Sequence, residues 1–145
     1  MNKFEELDKR KASEVENDLV KYWKENKVFE KSIENREGEK DFVFYDGPIY
    51  ANAKPGIHHV FAKTIKDTFC KYKTMQGYRV LRKIGLDTHG LPIEVNVEKK
   101  LGFTGKADIE KFGVENFCKE CNKATAINID EINHVTDMMG QFIDC

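Results

Sequence analysis

The sequence predicts an α/β fold built on a parallel strand–helix–strand unit, with a helix before it and helices after it. A short run of β-formers, Phe42-Val43-Phe44-Tyr45, stops at Asp46-Gly47-Pro48. The most regular helical periodicity in the chain follows and ends at Gly77. A second β-rich run, Tyr78-Arg79-Val80-Leu81-Arg82, comes directly after it. Two strands joined through one helix by short links pair in parallel with a right-handed crossover.

Taken in order, Ser13 with Glu16 three residues on has the capping-box pattern. Val15, Leu19, Tyr22 and Trp23 then share one apolar helical face. Residues 1–40 are therefore read as an N-terminal helical extension, closed by the polar turn Asn35-Arg36-Glu37-Gly38-Glu39. Phe42 to Tyr45 reads as a buried strand ending at a sharp turn. A loop, 49–55, leads into the long helix, where Ile57, Val60, Phe61, Thr64, Ile65, Thr68, Phe69 and Tyr72 share one face. After the second strand, Pro92 suits the first position of a helix and Glu94 its first turn, with an end near Leu101 and Gly102. A short helix at 107–112 and a longer one at 114–139 complete the chain.

The 145 residues fit one domain, and 40% hydrophobic with 34% charged residues reads as globular. A net charge of −1, with the signs mixed, argues against this segment gripping much RNA by itself. Four cysteines (Cys70, Cys118, Cys121, Cys145) behind a charged N-terminus without a signal peptide point to a reducing cytoplasm. No run of 18 apolar residues is present to span a membrane.

In open parallel sheets ligands bind beyond the carboxyl ends of the strands. Two loops fall there, 46–59 and 85–92. In the first, Gly47 and Pro48 allow a close approach of backbone to a ligand, and His58 and His59 begin the long helix, where free N–H groups favour an anion. Gripping a phosphate and merely starting a helix are both compatible with that spacing. In the second, Asp87 can hold an ammonium group through a charge-assisted bond, or satisfy nearby backbone N–H groups in a turn. Spacing leaves both open. Cys118-Lys-Glu-Cys121 without a second pair is a weak metal signal, and no metal site is assigned.

The stretch 42–102 closely resembles the class I aminoacyl-tRNA synthetases, and specifically their isoleucine branch. The first loop of that family reads F-Y-D-G-P-P-x-A-N-G-x-P-H-I-G-H, and this sequence keeps Phe44 through Pro48, Ala51-Asn52, Pro55, Ile57 and His59. The second loop reads R-K-A-G-W-D-T-H-G-L-P-V-E, matched by Arg82-Lys83, Asp87 through Pro92 and Glu94. The flanks 22–32 and 106–113 match as well.

The resemblance implies the first half of a Rossmann-like nucleotide-binding catalytic domain over 41–145, ending before an editing insertion. It implies ATP-dependent activation of isoleucine to isoleucyl-adenylate and transfer to tRNA(Ile), with Mg²⁺ arriving on ATP. His59 and His58 would be catalytic; Gly56, His58 and His59 would meet ATP; Gly47, Pro48 and Asp87 would meet isoleucine. Members are usually monomeric, and their zinc region falls outside the residues matched here. The chain alone is expected to be inactive; a truncated paralogue serving as a nucleotide- or protein-binding module is the alternative.

The departures are specific. Gly56-Ile57-His58-His59 stands in place of H-I-G-H, a form that some bacterial members carry. Ile49 replaces proline, Ala53 glycine, Leu86 tryptophan, and Gln141-Phe142 the usual Y-W. A positive φ at position 53 would cost alanine about 1 kcal/mol. Together these changes mark a divergent copy.

Overall fold

The computed structural model describes residues 9–144. The readings made on residues 1–8 and on Cys145 lie outside them. Among the described residues there are six helices and two strands: α1 (Ala12–Glu25), α2 (Val28–Glu34), β1 (Asp41–Tyr50), α3 (Ile57–Met75), β2 (Arg79–Asp87), α4 (Leu91–Leu101), α5 (Lys106–Phe112) and α6 (Val114–Met138). β1 and β2 pair in parallel from Asp41↔Arg79 to Tyr50↔Asp87, as the strand–helix–strand pattern requires. Beside β2, Asp144 begins a further parallel pairing with Lys83, its N–H donating to the Arg82 carbonyl at 3.1 Å.

Several boundaries differ from those expected. α1 starts one residue before Ser13, and its capping position is Lys11, without a side-chain cap; Ser13 and Glu16 lie inside the helix. α2 is a separate helix because Lys27 adopts a left-handed conformation (φ 50°) that breaks the path after Asn26. No glycine or proline announces that break. β1 does not stop at Asp46; it carries a bulge and runs to Tyr50. β2 likewise continues five residues past Arg82, so Gly85 belongs to a strand and not to a loop. Ala53 has no positive φ, which removes the strain suspected there. α4, α5 and α6 fall where the sequence placed them.

β1 is not a buried strand. Phe42, Phe44 and Asp46 point inward, whereas Val43 and Tyr45 are exposed on the other face. The inward face of the sheet carries Val80 and Arg82, both buried, against Cys70 of α3. Arg82 donates to the Cys70 carbonyl at 3.2 Å, to the Phe142 carbonyl at 3.1 Å and to Thr74 Oγ1. One guanidinium thus ties β2, α3 and the segment after α6 together. The Phe142 ring packs edge-on to Trp23 of α1 at 5.0 Å, and Lys24 pairs with Asp137 of α6 at 2.7 Å, which seats α1. A second small core lies between α4 and α6, around Ile93, Val97 and Phe117.

The apolar stripe of α3 does not face the sheet. Ile57, Phe61, Ile65 and Phe69 are exposed, while Lys63 and Cys70 are the buried positions of the helix. Burial is correspondingly sparse: the chain exposes 10642 Å², against roughly 7,600 Å² for a typical folded chain of 145 residues.

Candidate active site

The carboxyl ends of β1 and β2 lie side by side, and the bulge shapes the first of them. Between the pairs Asp46↔Ile84 and Ile49↔Leu86, Gly47 and Pro48 together oppose Gly85 alone. An extra residue of this kind is pushed out of the ladder and bends the strand. A Cβ on Gly85 would lie 3.1 Å from the Asp46 carbonyl oxygen and 3.2 Å from the Pro48 Cα, so only glycine lets the bulge close down. Sequence reasoning treated Gly85 as the start of a loop and missed this role; its only signal was a glycine interrupting a β-rich run.

Asp87 ends β2 opposite Tyr50, and its carbonyl accepts the Ala51 N–H at 2.9 Å. Among the described residues its carboxylate forms no hydrogen bond or ion pair. The turn role left open for Asp87 is therefore not the one it takes here, and its charge is available to a cation. Tyr50 stands close enough that burial, then Asp87, then Glu94 push its phenol pKa above the usual value.

The first loop is tethered on three sides. The Tyr50 hydroxyl donates to the His89 carbonyl, joining the two loops. Asn96 of α4 donates to the Asn52 carbonyl and Asn128 of α6 to the Ala51 carbonyl, each at 2.9 Å. Lys54 pairs with Glu131 of α6 at 2.9 Å. None of these anchors was recognised in the sequence, because each depends on a partner distant in the chain.

At the start of α3, the Gly56 N–H donates to His59 Nδ1 at 3.0 Å. A nitrogen that accepts carries no proton, so the neutral ring is protonated at Nε2, which is left as the donor. Burial, then His58, then Lys63 hold the His59 pKa below the ordinary histidine range, which favours that neutral donor. The amides of Ile57 and His58 have no acceptor among the described residues, as expected at a helix N-terminus. The His58 ring lies 3.9 Å from that of His59. A Cβ on Gly56 would come within 2.7 Å of His58 Cε1, so the ring from position 58 fills the space above Gly56. Glycine at 56 and histidine at 58 are sterically paired.

Behind the bulge, Asp46 is 5% exposed and holds two α3 lysines, Lys66 at 2.5 Å and Lys63, itself 5% exposed, at 3.6 Å. A cleft of about 320 Å³ lies beyond the second loop, lined by Thr88, His89, Ile93, Glu94, Phe117 and Cys121. Gly47, Pro48, Asp87 and the α3 histidines do not line it. Cys118 and Cys121 are free thiols, and no cluster suited to a metal ion occurs among the described residues. Nor, among those residues, is any helix long and apolar enough to cross a membrane.

The site thus joins a free carboxylate at one strand end, a bulge at the next and an imidazole donor at a helix N-terminus. The family model for tRNA synthetases class I (I, L, M and V) matches residues 18–145. The chain belongs to that family. Similar curated proteins include isoleucine–tRNA ligases of Cytophaga hutchinsonii, 48% identical over 94% of this chain, and of Bacteroides thetaiotaomicron, 49% identical over 98%. An isoleucine–tRNA ligase 2 of Bacillus cereus is 46% identical over 94% of the chain. The matched region is only 12% of the first two relatives and 13% of the third. As a class I synthetase chain, its two-stranded parallel sheet with flanking helices is part of a Rossmann-like α/β fold.

Proposed function

We propose that this chain carries the first half of the amino-acid-activating site of an isoleucine–tRNA ligase. In that reaction the isoleucine carboxylate attacks the α-phosphorus of ATP, giving isoleucyl-adenylate and pyrophosphate, and the aminoacyl group then passes to tRNA(Ile). The observation that carries the reading is the free Asp87 carboxylate on the strand next to the one leading into the His59 donor. An ammonium at Asp87 and a phosphate at the α3 N-terminus would place the two ends of an aminoacyl-adenylate on adjacent loops.

Each residue has a role in this reading. Asp87 accepts the α-ammonium group. Gly47 and Pro48 present the bulged backbone to the isoleucine side chain. Gly56 and His58 border the nucleotide. His59 Nε2–H, with the α3 amides, donates to phosphate oxygens as charge builds on them. Mg²⁺ comes with ATP, held largely by phosphates and water. Catalysis of this kind is chiefly positioning and charge stabilisation.

The division into an extension, 1–40, and a catalytic part, 41–145, belongs to the same reading, as does a cytoplasmic location. The zinc region and the usual monomeric state of the family are assigned to the longer protein.

Calorimetric titration of the chain with a non-hydrolysable isoleucyl-adenylate analogue tests the proposal. Binding lost in His59→Ala and in Asp87→Ala is the expected result, while isoleucine-dependent ATP–pyrophosphate exchange stays at background. Binding that survives both substitutions would reject these roles. A folded chain that binds nothing would favour a module that has kept only the ancestry.

A further inference from the structure

Asp46 is a buried carboxylate one residue before the bulge. Its Oδ1 meets Lys66 Nζ at 2.5 Å and its Oδ2 lies 3.6 Å from Lys63 Nζ. Lys63 also donates to Gln141 Oε1 at 3.3 Å. Lys63 follows His59 by four residues, so the two side chains stand one above the other on α3. The only covalent link between the bulge and the first turn of α3 is the intervening loop, whose tethers run to α4, α6 and the second loop. The Asp46 cluster is the direct polar connection from the bulge to α3 itself.

We propose that Asp46, Lys63 and Lys66 are positioning residues that fix the Gly47–Pro48 bulge relative to the imidazole of His59. A stabilising ion pair could sit anywhere between strand and helix. This one sits between the two segments that must face one ligand, and it places a buried ammonium one turn below the histidine. Its charge adds to burial and His58 in holding the His59 pKa down, and the two-point grip on Asp46 sets the depth of the bulge. The inference rests on the proposed adenylate site, which the test separates from it.

Breaking one partner of a buried pair can unfold a chain, whereas neutralising both is often tolerated. The central variant is therefore Asp46→Asn with Lys63→Met, compared with Lys63→Arg, which keeps the charge. Three readouts apply: the His59 titration midpoint and tautomer by ¹⁵N NMR, the Gly47 amide shift, and affinity for the isoleucyl-adenylate analogue. The expected result is a folded double variant with a raised His59 midpoint, a displaced Gly47 amide and at least tenfold weaker binding; Lys63→Arg recovers most of the affinity. A merely structural role would leave the affinity at its wild-type value once the double variant folds, and the Gly47 amide unmoved in Lys66→Met, where no neighbour of Gly47 in the chain is changed; either result overturns the proposal. Should the double variant not fold, Lys66→Met keeps the Asp46–Lys63 pair; an unmoved Gly47 amide there overturns it equally. The two NMR readouts need no ligand. If they respond as expected while the wild-type chain binds no analogue, the adenylate reading fails and the coupling stands.

Discussion

The two faces of α3 differ in chemistry in the opposite sense to a helix lying on a closed core. The inner face, followed through Lys63, Asp67, Cys70 and Thr74, is polar and turned to the sheet; the outer face, through Ile57, Phe61, Ile65 and Phe69, is apolar and open. On the inner side every charge has a partner: Lys63 and Lys66 hold Asp46, Lys71 holds Asp67 at 2.6 Å, and Arg82 spans α3 and the segment after α6. On the outer side the threonines bond back into the helix, Thr64 to the Val60 carbonyl and Thr68 to the Thr64 carbonyl, and the large side chains stay exposed. Burying such a side chain contributes roughly 1.5–3 kcal/mol, a gain this chain forgoes at each position of the stripe. α3 is held by a few buried polar anchors. Its apolar surface remains available.

The largest test of that contrast is Arg82→Met. It removes a guanidinium that three acceptors share and leaves Asp67 with less compensation, so unfolding free energy should fall by about 3–5 kcal/mol. Urea denaturation followed by circular dichroism measures it. A neutral outcome would mean that apolar contacts, not the anchors, carry the inner face.

Cys70 and Cys118 sharpen the same point. Cys70 is buried, and burial raises its thiol pKa, with Arg82 pulling the other way and Asp67 and Asp46 adding to the rise. Cys118 is exposed on α6. Thiol labelling at neutral pH should modify Cys118 at once and Cys70 only through opening of the fold. Equal rates would show that the inner face is open to solvent.

A smaller effect is expected outside. Phe61→Gln with Phe69→Gln should change stability by no more than about 0.5 kcal/mol, because neither ring is packed. Self-association, measured by sedimentation velocity, should fall, since a contiguous exposed apolar strip favours it. A loss of several kcal/mol would place these rings in a core.

What the sequence revealed follows from the range over which each signal acts. Strand, helix and strand were legible because hydrophobic period and glycine punctuation are local. Parallel pairing followed from connectivity, and α4 to α6 from caps and periodicity. The side of α3 that meets the sheet was not legible, because the stripe at Ile57, Phe61, Ile65 and Phe69 marks where apolar surface lies without naming what covers it. The bulge was hidden because Gly47-Pro48 reads as a turn until Gly85, 38 positions later, is seen beneath it. At the site, motif residues were legible one by one. Tyr50, Asn96 and Asn128, which hold the loop in place, carry no pattern of their own.

His59, at the N-terminal end of α3, gives the finest test, because its proton reports both the cap and the buried cluster beneath it. With Nδ1 accepting from Gly56, protonation at that nitrogen must break the cap. The folded midpoint should therefore lie below the unfolded value of about 6.5. For a lowered midpoint the unfolded chain binds more protons in the intervening window, so stability rises with pH there. The contribution is complete above about 6.5 and disappears as pH falls through the folded midpoint. Long-range ¹H–¹⁵N spectra recorded from neutral to acid pH should show the Nε2–H tautomer giving way to imidazolium only below that value, with the Gly56 amide shifting in step. A midpoint at or above 6.5, or a Gly56 amide that ignores it, would detach His59 from both the cap and Lys63, and with them from the polar face that holds α3 in place.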